Sequence, residues 1–403
     1  MDDDRAGASA PARRTYNAAP ARPTQEGPEG LRFDFNEGCR LFAPQDARGW
    51  RVRLSDFDAG AVLFETEFAG GEVRSAKRYF VRFRLQVWQA GAILLDHVFD
   101  ARGRSVLIQF PAGTLGDTIA WFAHAARFGA VHGCALACAM PGHLIPLFAG
   151  AYPDIEFLTL EQVRPERYYA TYVMVLHFND VRCEHQRLPY QSIGLQQAGA
   201  YLLGLEPREL RPAIALAPTP RPLPEPYVCI AAHSTMQAKF WNNPTGWRDV
   251  VAFLRHAGYR VVCIDQKPVH GEGMVWTAIP EGAENQTGDQ PLLQRAHWIA
   301  HAEFFVGLSS GLSWLAWALG RPVVLISGFT HPTNEFSTPF RVINYHACNS
   351  CWNDVRLRFD HRDFFWCPRH KDTPRQFECS RLITAAQVKA TIARVPGFGH
   401  RPV

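Results

Sequence analysis

Two short stretches of the chain hold residue types suited to group transfer. The first is Gly113-Thr114-Leu115-Gly116-Asp117. Its glycines allow close approach of a backbone to a ligand, and the N–H groups at a helix start are free to receive one. The carboxylate of Asp117, placed where such a turn opens, could take the proton of an attacking hydroxyl. Asp at a helix start is also a good cap, and spacing alone favours that local duty. A helix N-terminus lowers a carboxylate's pKa and weakens it as a base. That objection softens where the transition state has oxocarbenium character and the proton leaves late. The second stretch is His233-Ser234-Thr235-Met236-Gln237-Ala238-Lys239-Phe240-Trp241-Asn242-Asn243-Pro244. Ser234, Thr235 and Gln237 can donate to phosphate or nucleobase edges, and Lys239 supplies charge for a phosphate. A polar loop capping the next helix, with Lys239 solvated, is the plain alternative. The order G-x-x-x-x-G-K-[ST] is missing, so this is not a P-loop.

A third stretch, Gly307-Leu308-Ser309-Ser310-Gly311-Leu312-Ser313-Trp314, crowds Ser309, Ser310 and Ser313 around one helix start. Small residues there form an anion nest suited to a diphosphate, although they also permit close helix–strand packing. Near the C-terminus, Cys348, Cys351, Cys367 and Cys379 are spaced C-x2-C-x15-C-x11-C. A C-x2-C knuckle puts two thiolates on one metal, and two later cysteines complete a tetrahedron. Four thiolates suit zinc or iron. A saturated site has no open position, which implies a structural role. His361 and His370 lie in the same segment as weaker substitutes. The remaining cysteines, Cys39, Cys134, Cys138, Cys183, Cys229 and Cys263, are scattered and read as small buried hydrophobes.

Positioning these groups calls for α/β architecture. From Val106 the pattern alternates apolar strands with amphipathic helices: strand 106–110, a helix through Ile119, Phe122, Ala123 and Ala126, then strands 134–140, 155–160 and 172–178. A proline-rich connector, 212–226, precedes a second series with strands 227–232, 260–264, 304–306 and 322–326. Such alternation predicts two doubly wound lobes, 106–211 and 227–345, with a ligand cleft at the C-terminal ends of both sheets. Between Leu31 and Ser105, alternation in Val62-Leu63-Phe64-Glu65-Thr66-Glu67-Phe68 and similar runs predicts an all-β accessory domain. Residues 346–403 form the cysteine segment and a last helix.

At 403 residues with 47% hydrophobic and 12% aromatic residues, the chain can bury two or three cores. A net charge of +4 gives no warrant for a nucleic-acid or membrane partner. No run is long and apolar enough to span a bilayer. Met1-Asp2-Asp3-Asp4 and the Arg/Ala/Pro-rich stretch to Gly30 lack signal-peptide features. They predict a disordered tail over 1–30 and a cytoplasmic protein with reduced cysteines. No strand-adjacent G-x-G-x-x-G with a following ribose carboxylate is present, which disfavours dinucleotide redox chemistry.

Together, the block from Ser234 to Trp247, Gly113–Thr118, Gly307–Trp314 and the terminal cysteines resemble the bacterial autotransporter heptosyltransferases, relatives of the lipopolysaccharide heptosyltransferases. The resemblance covers roughly 31–395. It implies a GT-B pair of lobes behind an N-terminal β domain, with one iron per chain on the four cysteines. It further implies a dodecamer that transfers heptose from ADP-glycero-manno-heptose, with inversion, to serine hydroxyls of an autotransporter adhesin. By the same resemblance Asp117 matches the essential Asp of the first turn and Lys239 the donor-phosphate lysine, and Ser310, Gly311, Leu312 and Ser313 fall in the pyrophosphate loop. Thr114, Leu115, Gly116, Ser234, Thr235, Gln237 and Ser309 complete the expected donor site. The lipopolysaccharide enzymes usually read Asp-Thr/Ser-Gly-x-x-His in that loop, whereas Ser309 and Trp314 stand in the Asp and His places here. The competing expectations are a lipopolysaccharide core heptosyltransferase and a non-catalytic GT-B scaffold or chaperone.

Overall fold

The structure is a computed structural model and describes residues 16–112 and 114–399. Residues 1–15 of the expected tail, Gly113 and residues 400–403 lie outside it.

Val106, Leu107 and Ile108 are wholly buried because the strand Ser105–Gln109 is covered on both faces. It lies between Ala135–Ala139 and Ala170–Val173, all parallel, and Glu156–Leu158 continues the sheet at one edge. The helix Leu115–His132 packs one face with Ile119, Phe122 and Phe128. On the other face Val163 and Tyr168 meet Leu107, Ala137 and Ala139.

This sheet takes in part of the expected all-β domain. Arg32–Asn36 pairs in parallel with Ala170–Val173, and Arg40–Ala43 and Gly71–Arg74 follow it antiparallel. Only Trp50–Asp56, Ala61–Phe68, Phe83–Gln89 and Ala92–Val98 form a sheet of their own, antiparallel and four-stranded. The 31–105 region is all β, and its strands are shared between the first lobe's sheet and a sheet of its own. Arg32–Asn36 is buried along almost its whole length, so it needs neighbours that a small wet-faced barrel cannot supply.

The expected disordered tail is likewise corrected from Tyr16 to Gly30. Asp34 and Arg40 form a fully buried ion pair of 2.6 Å. Arg40 Nη1 donates to Pro20 O at 2.7 Å, and the Thr24 N–H donates to Asp34 at 3.1 Å. Gln109 exchanges two hydrogen bonds with the Asn17 backbone, at 3.0 and 2.9 Å. Buried charge needs partners, and this extended segment provides them.

The second sheet is six-stranded and parallel, in the order Glu284–Asn285, Arg260–Cys263, Tyr227–Ile230, Phe305–Leu308, Val323–Ile326, Arg341–Val342. Helices Gly246–His256, Leu292–His301, Gly311–Ala318 and Ala385–Ile392 accompany it. A hairpin of Val269–Glu272 and Val275–Ala278, not foreseen in the sequence, projects Met274 and Trp276 into solvent. Residues 212–226 have no regular structure, but Ile214, Leu216 and Leu223 rest on the core. No helix of the described residues is long and apolar enough to cross a membrane.

The two lobes meet where the helix starts of 115–132 and 311–318 abut. A Cβ at Gly311 would lie 2.8 Å from Leu115 Cβ and 3.2 Å from Gly116 N, so only glycine lets these backbones close up.

Candidate functional site

Asp117 occupies the first turn of the 115–132 helix, half-buried, and its Oδ2 accepts the Thr114 hydroxyl at 2.5 Å. Burial raises its pKa and outweighs the Thr114 bond and the charge of Lys239, which both lower it. The environment thus makes Asp117 a stronger base than its helix position alone predicts. Thr114 is exposed beside it. Leu115 and Gly116 pack on the opposite lobe: a Cβ at Gly116 would come within 3.0 Å of Trp314 Cδ1. Trp314, in the expected His place, is a buried packing residue against Phe336.

Lys239 ends a 3-10 turn, Gln237–Lys239, that follows the strand Tyr227–Ile230. The Asn-Asn pair of the sequence block explains that turn's shape. Asn242 Nδ2 donates to Gln237 O at 3.1 Å and Phe240 O at 3.0 Å, while Asn243 Nδ2 reaches Ile383 O at 3.1 Å. Trp241 Nε1 donates to Ile383 O at 2.9 Å, and Gly246 leaves room for its ring. Burial lowers the pKa of Lys239, while the charges of Asp117 and Glu335 act to raise it. Its ammonium lies 5.6 Å from the centre of the Phe329 ring. Asp117, at a helix start of the first lobe, and Lys239, on a turn of the second, therefore lie near enough for each charge to act on the other. Thr235 is exposed and Ser234 half-buried on the same loop. Gln237 donates to Asn242 Oδ1 at 2.6 Å, leaving its buried Oε1 without a hydrogen-bond partner. It offers a carbonyl, where the sequence suggests a donor.

The serines divide. Ser310 is the N-cap residue of Gly311–Ala318, and its hydroxyl has no hydrogen-bond partner. Gly311 and Leu312, both half-buried, form the first turn. Ser313 is fully buried and donates to Leu308 O at 2.6 Å, so it braces the turn from inside. Ser309 lies 3.2 Å from Thr330, which contacts Glu335.

Sequence reasoning missed several groups here. Asp265, at the C-terminal end of Arg260–Cys263, accepts the Ala232 N–H at 2.7 Å and the His233 N–H at 3.3 Å. It thereby fixes the entry to the Lys239 loop. Burial raises its pKa, opposed chiefly by His233, whose ring lies 3.7 Å away. An acid directly after an apolar strand was the available signal. Thr330 and Glu335 sit in irregular chain and Arg341 opens the two-residue edge strand, and none of them carried a signal.

The four cysteines are free thiols, each half-buried. Burial raises the pKa of Cys351 and Cys379, and the charges of the other three thiols raise that of Cys379 further. Cys348 lies with His370 and Glu378 such that their ligand atoms are within 4.8 Å of one another. Its N–H donates to Glu378 at 3.1 Å. Thiols that resist joint ionisation without a cation, beside an imidazole and a carboxylate, suit a bound metal ion.

Comparison with known proteins agrees in family. Residues 27–91 match the family described as glycosyltransferase TibC, N-terminal domain, and residues 184–353 match glycosyltransferase family 9 (heptosyltransferase). The chain is 50% identical over 382 residues to the autotransporter heptosyltransferase BAHTCr of Citrobacter rodentium, covering 94% of this chain and 92% of that protein. It is 50% identical over 378 residues to the autotransporter heptosyltransferase TibC of Escherichia coli O78:H11, covering 93% and 92%. Identity is 46% over 385 residues to BimC of Burkholderia thailandensis, described as an inactive autotransporter heptosyltransferase, covering 96% and 90%. The crystal structure of TibC, a dodecameric iron-containing heptosyltransferase in complex with ADP-D-beta-D-heptose, matches with a TM-score of 0.91. Its sequence identity is 49%, and the match covers 94% of this chain and 99% of that one.

Proposed function

The chain belongs to the autotransporter heptosyltransferases of glycosyltransferase family 9, and we propose that it moves heptose from ADP-glycero-manno-heptose to serine hydroxyls of an autotransporter adhesin. The two lobes act as a GT-B pair, with the donor on the second and the acceptor on the first. The serine oxygen attacks the anomeric carbon as the bond to the diphosphate breaks, which inverts the configuration. Asp117 receives the serine proton. Lys239, the N–H groups of the helix start after Ser310 and the Ser310 hydroxyl stabilise the departing ADP. The reaction takes place in the cytoplasm, before the acceptor is exported.

One relative described as inactive is 46% identical, so likeness alone does not carry turnover. The observation that carries it is the abutment of the two helix starts, Gly311 of the second lobe against Leu115 and Gly116 of the first, next to Asp117. A lipopolysaccharide acceptor is disfavoured by Ser309 and Trp314 in the Asp and His places. ADP release from ADP-heptose in the presence of an autotransporter fragment tests the reading. Wild-type release abolished by Asp117→Ala supports it, and a folded wild-type protein with no release supports the scaffold instead.

The metal reading is iron, one ion per chain, held by Cys348, Cys351, Cys367 and Cys379 with His370 and Glu378 close by. Its thiolate ligands would tie the 346–379 segment together, with zinc as the alternative ion. The assembly is a dodecamer, which sedimentation velocity measures directly.

A further inference from the structure

At the C-terminal ends of the first lobe's parallel strands, where α/β folds form their ligand crevice, lies a cavity that the proposed chemistry does not use. Glu37, Arg78, Tyr79, His177 and His185 line it beside Val173 of the strand Ala170–Val173. It holds about 20 Å³, room for one or two water-sized groups. Val173 is the register partner of Gln109, which ends the strand leading into the turn that carries Asp117. Glu37 follows the strand Arg32–Asn36, one place further along the sheet. At ~4.8 Å per strand the cavity lies roughly 5–10 Å along the sheet edge from the end of Ser105–Gln109, a span of about two or three residues of extended polypeptide.

Its walls are rigidly built. Glu37 has a left-handed φ of 58°, uncommon outside glycine. Gly38 then passes so close to the next loop that a Cβ there would lie 2.3 Å from Lys77 O. Glu37 accepts the Ala19 N–H at 3.3 Å and Arg78 Nη1 at 3.2 Å. Asp180 accepts the backbone N–H groups of Glu184, His185 and Gln186 at 2.8, 2.8 and 2.9 Å. The Gln186 amide exchanges two hydrogen bonds with the His177 backbone, at 3.1 and 2.9 Å. The two imidazoles held in this way stack on each other, with 4.3 Å between centres and 23° between planes. Among the described residues neither ring has a hydrogen-bond partner.

Bracing of the backbone on both sides therefore leaves the ring nitrogens to a group from outside. Burial above all lowers both pKa values, that of His177 to about 4, so both rings are neutral at neutral pH. A neutral imidazole has one donor and one acceptor nitrogen. Glu37 and Arg78 offset each other's charge. A cavity of this size with no unopposed charge suits a small uncharged group that both donates and accepts, a hydroxyl or a carboxamide.

We propose that the cavity is an acceptor subsite, taking the hydroxyl or carboxamide side chain of a residue about two or three positions from the serine that receives the sugar. This rests on the proposed transfer to a polypeptide serine, and adds a sequence preference to it.

The test supplies the full chain with ADP-heptose and an autotransporter passenger fragment whose serines differ in their neighbours. Mass spectrometry maps the modified serines, and KM is measured for the fragment and for ADP-heptose, in wild type, His177→Phe and His185→Phe. Phenylalanine keeps the ring stack and removes the nitrogens. Wild type should favour serines with Ser, Thr, Asn or Gln two or three positions away. Each variant should flatten that preference and raise KM for the fragment roughly three- to tenfold, the effect of one hydrogen bond, with KM for ADP-heptose kept. A ring pair that only braces its loop would leave the preference intact in a folded variant. Wild-type transfer without the preference overturns the subsite, whether or not the variants fold. A folded variant with the wild-type preference and the wild-type KM for the fragment overturns it too. Wild-type protein that releases no ADP with the fragment overturns the functional reading, and the subsite with it.

Discussion

Asp117 sits between opposing influences. Its helix start, the Thr114 hydroxyl and the Lys239 charge favour the ionised form, yet burial prevails and its pKa stands above the ordinary 3.8. Lys239 is the mirror case: burial prevails over two carboxylates and its pKa stands below the ordinary 10.5. In the proposed reaction Asp117 works ionised and Lys239 works protonated. Turnover should therefore fall as pH drops through the raised pKa of Asp117, and fall again as pH rises through the lowered pKa of Lys239. A kcat/KM profile should be a bell narrower than the two ordinary values would give. Asp117→Asn should cut kcat by about 10²–10⁴-fold with ADP affinity nearly kept, and should erase the acid limb. An acid limb that persists in that variant would assign the base elsewhere. Lys239→Met should weaken ADP binding by about tenfold or more, the order of a charge-assisted contact, measured by calorimetry.

At the scale of elements, the buried Asp34–Arg40 pair joins the strand Arg32–Asn36 to the extended segment before it. Arg40→Met should lower stability by about 3–5 kcal/mol, because Asp34 is left charged and buried without its partner. Urea denaturation measures this, and a loss under about 1 kcal/mol would mean that the backbone donors around Asp34 suffice alone. The same residues show what could be read beforehand. Val106-Leu107-Ile108 announced a doubly covered strand by its lack of any polar residue, and the helix after it by period. Pairing of Arg32–Asn36 with Ala170–Val173 joins positions far apart in the chain, so no local pattern could reveal it. Residues 16–24 look like a tail by composition. Their order comes from partners such as Gln109 and Arg40, which composition does not register. Asp117 and Lys239 stood out in the sequence as residue types that could do chemistry. Thr330 and Glu335 did not, because what joins them is a side-chain contact within irregular chain.

For the whole molecule, the cysteine segment is a bridge. The Ser350 N–H donates to Gly328 O at 2.8 Å, and a Cβ at Gly328 would lie 2.5 Å from Cys379 O, which seats the segment on the loop leading to Thr330. Trp352 Nε1 donates to Asn334 at 3.2 Å, next to Glu335. On the other side Asn353 Nδ2 donates to Gln191 O at 3.2 Å, and the Trp352 ring lies 5.0 Å from that of Tyr190, so the segment also holds the first lobe. Few regular hydrogen bonds support it, its secondary structure being short turns between Cys348 and Phe377. A metal at its centre would add to the packing of Trp352, Phe359, Phe364 and Trp366 on the second core. Cys351→Ser should therefore lose the bound metal by elemental analysis and lower the melting temperature. Limited proteolysis should then cut first between 346 and 379. Well below the reduced melting temperature, turnover per folded molecule should stay far above that of Asp117→Asn, because the metal supports the site without touching the reacting atoms. A variant that keeps its melting temperature without metal would remove the metal from the architecture. One that keeps its fold but loses turnover as fully as Asp117→Asn would move the metal into the chemistry.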